Sequence, residues 1–289
     1  MSAANGPEKR KVSVTSFGRM KAEGRRIVMV TAYDYPTASI ADEVGVDSIL
    51  VGDSYGMVVL GYDTTIPVTV EELLPVCRAV KRGASHPLLI GDLPFMSFQV
   101  SVKDAVRNAG RLVKEGGMDA VKIEGGKPIT DAVRAIARVG IPVLGHIGVT
   151  PQTATLRGGY RIQGKSAESA ASLLDDAIAL EQAGAFGIVL EMVTEEAAQI
   201  ITQKVSVPTI GIGSGRYCDG QVLVMHDIIG LYPRFRPKFA KSYGDVAGTI
   251  KDALNRYSRE VRGGQFPEEQ NVFKMEDDQR QRLNARRKT

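Results

Sequence analysis

Short apolar runs alternate with longer amphipathic segments along most of the chain, and this alternation limits the possible folds more than any other feature. Each run is rich in Val, Ile and Leu and lacks a regular in/out alternation, which is typical of parallel strands buried on both faces. We predict eight strands, at Ile27–Tyr33, Ser48–Asp53, Leu88–Leu93, Ala120–Glu124, Pro142–Ile147, Gly187–Glu191, Pro208–Gly213 and Val222–His226. The last run is the weakest of them, because it could equally begin a helix.

The segments between these runs are long enough for crossover helices and have apolar residues at helical spacing. We predict helices at Glu71–Arg82, Val102–Lys114, Ile129–Arg138, Ala167–Gln182 and Thr194–Gln203. A further amphipathic helix after the eighth run is indicated by the spacing of Val246, Ile250, Leu254, Tyr257 and Val261. Nothing before that helix resembles an interdomain linker. The pattern favours a single-domain (β/α)₈ TIM barrel, and the alternative that it leaves open is a doubly wound α/β sheet.

The two ends of the chain differ in composition from the region between them. We expect a polar N-terminal segment at 1–12, the catalytic barrel at 13–265 and a charged, disordered tail at 266–289. Six basic residues oppose three acidic ones between Lys274 and Thr289, so the tail supplies +3 of the formal net charge of +4. The nearly neutral remainder argues against a nucleic-acid-binding protein. An RNA- or membrane-binding tail is the alternative to a solvated one.

The sequence also bears on the cellular setting. No apolar run is long enough to span a bilayer, and the first eleven residues lack the apolar stretch of a signal peptide. The two cysteines, Cys77 and Cys218, are too few for a disulfide framework. We therefore expect a cytoplasmic protein with no membrane partner.

Five of the predicted strands end at or near a residue suited to metal or proton chemistry, namely Asp53, Asp92, Glu124, His146 and Glu191. In a barrel the carboxyl ends of all strands open on one face, so these side chains would meet in one pocket. Carboxylates close together repel one another unless they are protonated or bound to a cation. A hard divalent cation with oxygen ligands, such as Mg²⁺, removes this repulsion. The pattern predicts a metal-dependent active site.

Each of these residues also has a purely structural interpretation. A single acid at the end of a strand is commonly a turn former or a helix N-cap, although four such acids weaken that interpretation for the set. Lys122 and Glu124 lie two residues apart and share a strand face, either as a structural salt bridge or with Lys122 beside the metal. His146 could be a core histidine. The glycines of segment 211–215 could cradle a phosphate, but we favour their allowing close approach of a ligand or backbone.

Ten short motifs distinguish the chain further. They are residues 31–34 (TAYD), 51–54 (VGDS), 61–65 (GYDTT), 92–95 (DLPF), 121–126 (VKIEGG), 145–152 (GHIGVTPQ), 158–160 (GGY), 189–191 (VLE), 210–213 (IGIG) and 219–224 (DGQVLV). In this combination the chain closely resembles the ketopantoate (3-methyl-2-oxobutanoate) hydroxymethyltransferase family over about residues 15–265. The resemblance implies transfer of a hydroxymethyl group from 5,10-methylenetetrahydrofolate to 3-methyl-2-oxobutanoate. The product would be 2-dehydropantoate, in pantothenate and coenzyme A biosynthesis.

The resemblance also implies ligands, roles and an assembly. It implies Mg²⁺ as the cofactor, folate and a 2-oxo acid as small-molecule partners, and a homodecamer. By resemblance, Asp53 and Asp92 bind the metal, Glu124 binds it directly or through water, and Glu191 accepts the proton. The residues that it places against the 2-oxo acid are Asp53, Ser54, Asp92 and Lys122, with His146 lining the same pocket. Two features depart from the family: Ser214 stands where alanine is commoner, and the sequence after Pro267 does not match.

Two other functions are compatible with the same residues. One is another Mg²⁺-dependent barrel enzyme acting on 2-oxo acids, such as a lyase or mutase of the phosphoenolpyruvate type, which would cleave its substrate without folate. The other is a catalytically silent barrel that serves as a scaffold, which would bind neither Mg²⁺ nor a 2-oxo acid. Lys122 alone would permit Schiff-base chemistry. Its neighbour Glu124 argues against this, because a nearby carboxylate favours the charged ammonium.

Overall fold

The computed structural model describes residues 10–232 and 237–286. Within them, eight parallel strands pair in chain order, and the last strand pairs with the first to close a barrel. The strands are β1 (Ile27–Thr31), β2 (Ser48–Val51), β3 (Leu88–Asp92), β4 (Ala120–Glu124), β5 (Val143–Gly148), β6 (Ala185–Glu191), β7 (Thr209–Ile212) and β8 (Gly220–Leu223). The predicted (β/α)₈ barrel is therefore confirmed, and the doubly wound sheet is excluded.

Helices separate most of the strands. They are α1 (Val14–Ala22), α2 (Tyr35–Val44), α3 (Tyr55–Val58), α4 (Val70–Gly83), α5 (Val102–Lys114), α6 (Thr130–Arg138), α7 (Ala167–Ala183), α8 (Glu195–Lys204), α9 (Met225–Ile228), α10 (Val246–Arg262) and α11 (Asp277–Arg286). Short 3₁₀ turns add Lys127–Ile129, Pro151–Arg157 and Glu269–Asn271. The five predicted crossover helices and the helix after the eighth strand agree with these bounds to within one residue at each end. The helices α1, α2, α3 and α11 were not predicted.

The eighth strand differs most from its prediction. It begins at Gly220 and ends at Leu223, whereas Met225 already starts α9, so the second half of the predicted run is helical. The apolar pattern missed the start because the strand opens with Gly220 and the exposed Gln221. Glycine is needed at position 220, since a Cβ there would lie 2.6 Å from the carbonyl oxygen of Ile27. The close approach lets β8 pair with β1 and complete the barrel.

The helix α1 closes the amino-terminal end of the barrel. Its Phe17 and Met20 are fully buried and join the cluster of side chains that fills the barrel interior, which includes Met29, Ile90 and Leu144. Close packing of such a cluster leaves no open pore. We call α1, with its buried Phe17 and Met20, the α1 plug. It forms the floor beneath the inward-facing side chains of the strands.

Ion pairs tie the segment around α1 to the starts of three strands. Lys11, Lys21 and Arg25 pair with Asp119, Asp219 and Asp47 at 2.5, 3.1 and 3.1 Å. Each aspartate immediately precedes a strand and also accepts a backbone N–H from the neighbouring strand, donated by Leu89, Thr209 and Val28. These aspartates therefore hold both the plug and the strand register at the amino-terminal end.

The carboxyl-terminal region contains α11, which lies within the segment 266–289 that the sequence predicts to be disordered. The first turn of α11 contains Asp277 and Asp278, and its last turn contains Arg286. These charges interact favourably with the helix dipole, which favours a helix even without a buried face. All described residues of α11 are exposed. The domain boundaries at residues 12 and 265 stay a prediction.

Candidate active site and metal centre

The predicted site residues meet at the carboxyl-terminal end of the barrel, opposite the α1 plug. Asp92, Glu124 and Glu191 end three strands, Lys122 and His146 lie within two strands, and Asp53 and Ser54 follow β2. All seven line one cavity of about 850 Å³. The acids and the histidine predicted at the strand ends therefore lie in one cavity.

Three of these acids form a compact cluster. Asp53, Asp92 and Glu124 are at most 5% exposed. Each offers a carboxylate oxygen that lies within 4.8 Å of those of the other two. Oδ1 of Asp92 lies 2.9 Å from Nζ of Lys122. Three buried carboxylates this close together repel one another, and their oxygens fit a hard divalent cation.

Burial and mutual repulsion perturb these acids. Burial raises the pKa of Asp53 well above its usual value, and the charges of Asp92 and Glu124 raise it further. Burial likewise raises the pKa of Asp92. Burial also opposes ionisation of Glu124, but Lys122 and His146 outweigh it and lower the pKa of Glu124 to about 2. A cation placed among the acids would remove the repulsion and favour the ionised forms of Asp53 and Asp92.

Lys122 is the buried cation beside the cluster. Its Nζ lies 2.9 Å from Oδ1 of Asp92 and 3.2 Å from Oε1 of Glu124. Burial acts to lower the pKa of Lys122, but the charges of Asp92, Glu124 and Asp53 outweigh it and raise the pKa above its usual value. The amine is therefore an ammonium at neutral pH. This favours a charge-pairing role and disfavours the Schiff-base alternative.

His146 connects the acidic cluster with Glu191. Its Nδ1 lies 3.2 Å from Nζ of Lys122 and 3.4 Å from Oε1 of Glu124, and its Nε2 lies 3.2 Å from Oε2 of Glu191. Burial and Lys122 act to lower the pKa of His146, but Glu124 and Glu191 outweigh them and raise it to about 9. If Lys122 donates to Nδ1, even a neutral ring keeps its proton on Nε2, which faces Glu191. His146 is therefore part of the polar site and not an apolar core histidine.

Two further predicted features have clear positions. Oγ of Ser54 lies 2.7 Å from the hydroxyl of Tyr33, and burial raises the pKa of that phenol, so Tyr33 remains protonated.

In the glycine-rich segment, Gly213 has a φ of +65°, and a Cβ there would lie 2.7 Å from the ring of Phe239. This contact supports the interpretation that the glycines allow a close approach.

The chain is similar in sequence to known proteins over most of its length. A family model described as "Ketopantoate hydroxymethyltransferase" matches residues 11–269. The chain belongs to the ketopantoate hydroxymethyltransferase family. A relative named 3-methyl-2-oxobutanoate hydroxymethyltransferase from Carboxydothermus hydrogenoformans is 54% identical over 92% of this chain and 96% of its own. A relative of the same name from Heliobacterium modesticaldum is 52% identical over 93% of this chain and 98% of its own.

Solved structures similar to this family member share its fold at low identity. A 2,3-dimethylmalate lyase, described as a member of the PEP mutase/isocitrate lyase superfamily, has a TM-score of 0.56 and 18% identity, over 94% of this chain and 98% of its own. A phosphonopyruvate hydrolase, in complex with oxalate and Mg²⁺, has a TM-score of 0.57 and 14% identity, over 95% of this chain and 98% of its own. These similarities support the barrel fold alone. In the part of the chain that is described, no helix is both long and apolar enough to cross a membrane.

Ser214, which the sequence analysis singled out in this ketopantoate hydroxymethyltransferase family member, has a clear structural role. Its fully buried hydroxyl donates to the carbonyl oxygen of Leu190 at 2.7 Å and accepts from the amide of Val193 at 3.0 Å. These two residues flank Glu191 and Met192, and Met192 has a left-handed φ of +48°. The serine therefore braces the turn that follows Glu191.

Two residues, Gln152 and Tyr160, were named only within family motifs and received no role from the sequence. Gln152 is 2% exposed and contacts both Asp53 and Glu124. Tyr160 is about half exposed at the cavity wall, and burial together with the charges of Glu191 and Asp53 raises the pKa of its phenol. Both residues lie in the long connection after β5, where no periodic pattern or strand end marks a functional position.

Proposed function

We propose that the chain transfers a hydroxymethyl group from 5,10-methylenetetrahydrofolate to 3-methyl-2-oxobutanoate, giving 2-dehydropantoate for pantothenate and coenzyme A biosynthesis. The names of relatives at 50–54% identity support this reaction. The observation that carries the proposal is the buried cluster of Asp53, Asp92 and Glu124 beside Lys122 in a family member. Such a cluster suits a metal-dependent reaction at a 2-oxo acid.

We propose Mg²⁺ as the metal, held directly by Asp53 and Asp92. Glu124 would contact the metal directly or through water. Oε1 faces Lys122 and His146, and Oε2 accepts from the backbone of Gln152. When bound, Mg²⁺ would polarise the 2-oxo group and stabilise the negative charge that develops on its oxygen.

The chain's own residues would orient the acid and move its proton. The ammonium of Lys122 would face the oxygens of the bound 2-oxo acid, and Ser54 would orient the carboxylate through its hydroxyl. Glu191 would accept the proton from C3 of the substrate. Its Oε2 lies 3.2 Å from Nε2 of His146, so the ring would fix the direction of that carboxylate.

The rest of the cavity supports a second, larger ligand. A volume of about 850 Å³ is far more than a five-carbon acid needs. The residues that line this cavity also include Tyr160, Ile162, Met192, Tyr232 and Phe239. A mainly apolar, aromatic wall is suited to a flat heterocycle. This supports a folate as the one-carbon donor.

Folate-dependent turnover tests the proposal directly. We expect the purified protein to form 2-dehydropantoate from 3-methyl-2-oxobutanoate only when both Mg²⁺ and 5,10-methylenetetrahydrofolate are present, because the folate supplies the transferred carbon. The product is measured by mass spectrometry, with reactions lacking folate or containing EDTA as controls. Cleavage of isocitrate-like acids without folate, and no 2-dehydropantoate with it, would favour the lyase alternative. Failure to bind Mg²⁺ or any 2-oxo acid would favour the scaffold alternative.

We also propose a homo-oligomer, with a decamer as the form that the family resemblance implies. The helix α10 buries none of its residues, although Ile250, Leu254, Tyr257 and Val261 form an apolar stripe along one side. An apolar stripe of this length is typical of a surface covered by another subunit.

A charge placed within this stripe should weaken the assembly. We expect Leu254→Glu to lower the mass measured by light scattering after size-exclusion chromatography, because a buried carboxylate would lack a partner. Asn255→Glu is the matched control, since it adds the same charge to the same helix away from the stripe. A monomeric wild type, or equal masses for both variants, would contradict the role of α10.

We further propose a cytoplasmic location. The structure leaves Cys77 and Cys218 as buried, free thiols, which supports a reducing compartment.

A further inference from the structure

The side chain of Gln152 lies between the parts of the chain that bear the three acids. Its Nε2 donates to Oδ2 of Asp53 at 2.9 Å and to the carbonyl oxygen of Leu93 at 3.0 Å, and Leu93 directly follows Asp92. Its backbone N–H donates to Oε2 of Glu124 at 3.2 Å. One buried residue thus contacts two of the acids and the neighbour of the third.

We propose that Gln152 is a positioning residue of the metal centre that sets the direction of the Asp53 carboxylate. This inference rests on the proposed metal site. The amide of Gln152 holds Oδ2 of Asp53, and Oδ1 is the other oxygen of the same carboxylate. A carboxylate fixed in this way stays in one rotamer and presents its other oxygen to a cation. Outer partners of this kind orient ligands and thereby tune metal affinity.

Glutamine suits this position better than lysine, glutamate or asparagine does. A lysine would bring a charge that competes with the cation, and a glutamate would add another acid to a crowded cluster. The amide of asparagine would be one methylene short of reaching both Asp53 and the Leu93 carbonyl. At 2% exposure, water has no access to replace the lost hydrogen bonds. The position therefore requires a long, neutral donor.

Gln152 also connects the acids to the wall of the cavity. It lies at the start of the turn Pro151–Arg157, and the same connection continues to Tyr160 and Ile162. Its Oε1 accepts a long hydrogen bond of 3.4 Å from Gln99, which fixes the amide orientation. The metal ligands and the wall after β5 thus share one anchoring residue.

Metal affinity is the measurement that isolates this role. We expect Gln152→Met to weaken binding of Mn²⁺ alone, followed by electron paramagnetic resonance, by roughly 10- to 100-fold, as for other outer-shell partners. The Mg²⁺ concentration needed for half-maximal turnover should rise by a similar factor. Methionine has nearly the length and volume of glutamine, so the buried space stays filled. Gln163→Met is the matched control, because its side-chain amide donates to the Arg161 carbonyl in the same connection.

The possible results separate this inference from the proposed function. Unchanged Mn²⁺ affinity in Gln152→Met, with wild type binding normally, would overturn the positioning role and leave the metal site standing. A loss of turnover without a change in Mn²⁺ affinity would also overturn it, because the residue would then act elsewhere. Equal weakening by Gln163→Met would assign the effect to general disorder of the connection. A wild type that binds no Mn²⁺ would overturn both this inference and the metal site.

Discussion

Replacing either Asp53 or Asp92 by Ala is expected to abolish Mg²⁺-dependent turnover while leaving the protein folded. Charge stabilisation by a bound metal is worth several kcal/mol, so the expected loss is roughly 10³-fold or more. Removing an acid should not unfold the chain, because burial already disfavours ionisation of both residues. Turnover is measured against Mg²⁺ concentration, and folding is measured by thermal denaturation without metal.

Thermal denaturation also reports the metal directly. Mg²⁺ should raise the melting temperature of wild type, since a ligand that binds only the folded state stabilises it, and should not do so in either variant. Asp175→Ala removes an exposed acid of α7 and serves as the matched control. Near-normal activity in both site variants, with an unchanged Mg²⁺ requirement, would exclude Asp53 and Asp92 as ligands.

Replacing Glu191 by Gln is expected to separate proton removal from carbon transfer. If Glu191 is the base, wild type with Mg²⁺ should exchange the C3 hydrogen of 3-methyl-2-oxobutanoate for deuterium in heavy water without folate. Glu191→Gln keeps the size and polarity of the side chain but cannot accept the proton. It should slow exchange by roughly 10²- to 10⁴-fold, the usual contribution of a positioned base. The measurement is the loss of the C3–H signal by NMR.

Controls for the exchange assay come from the same region of the chain. Glu195→Gln makes the identical change four residues later, at a partly exposed acid paired with Arg216, and should exchange at the wild-type rate. Chelation of the metal should stop exchange in every variant. Adding tetrahydrofolate fills the cosubstrate region without supplying a carbon, so it tests whether that ligand is needed to close the site. Exchange at the wild-type rate in Glu191→Gln would exclude Glu191 as the base.

The sequence predicted the structure best where the local apolar pattern of a segment matches its burial in the fold. The bounds of β4 and α5 match their predictions residue for residue, because apolar content and helical spacing are strong in both. The convergence of Asp53, Asp92, Glu124 and Glu191 followed from barrel geometry, since every strand directs its carboxyl end to the same face. A small set of local signals therefore predicted the candidate site.

Other parts depend on contacts that local patterns do not encode. Gln152 meets Asp53 across 99 positions of the chain, and nothing around Gln152 indicates that partner. The helix α2 was missed because Ile40 and Val44 are exposed, so its apolar residues do not mark a buried face. The α1 plug was missed because a short helix before the first strand has no counterpart in the repeating βα pattern. The strand–helix repeat predicts the barrel walls but not what closes its floor.

The α1 plug has a consequence for the order of events in a catalytic cycle. With Phe17 and Met20 filling the floor, ligands would reach the acids through the opposite end, past the aromatic wall around Tyr160 and Phe239. If the folate occupies that wall, the small 2-oxo acid must enter before it and would be trapped beneath it. The product would then leave only after the spent folate. A barrel with a closed floor would in this way impose an obligatory order of binding and release. The larger substrate would bind last, and its product would leave first.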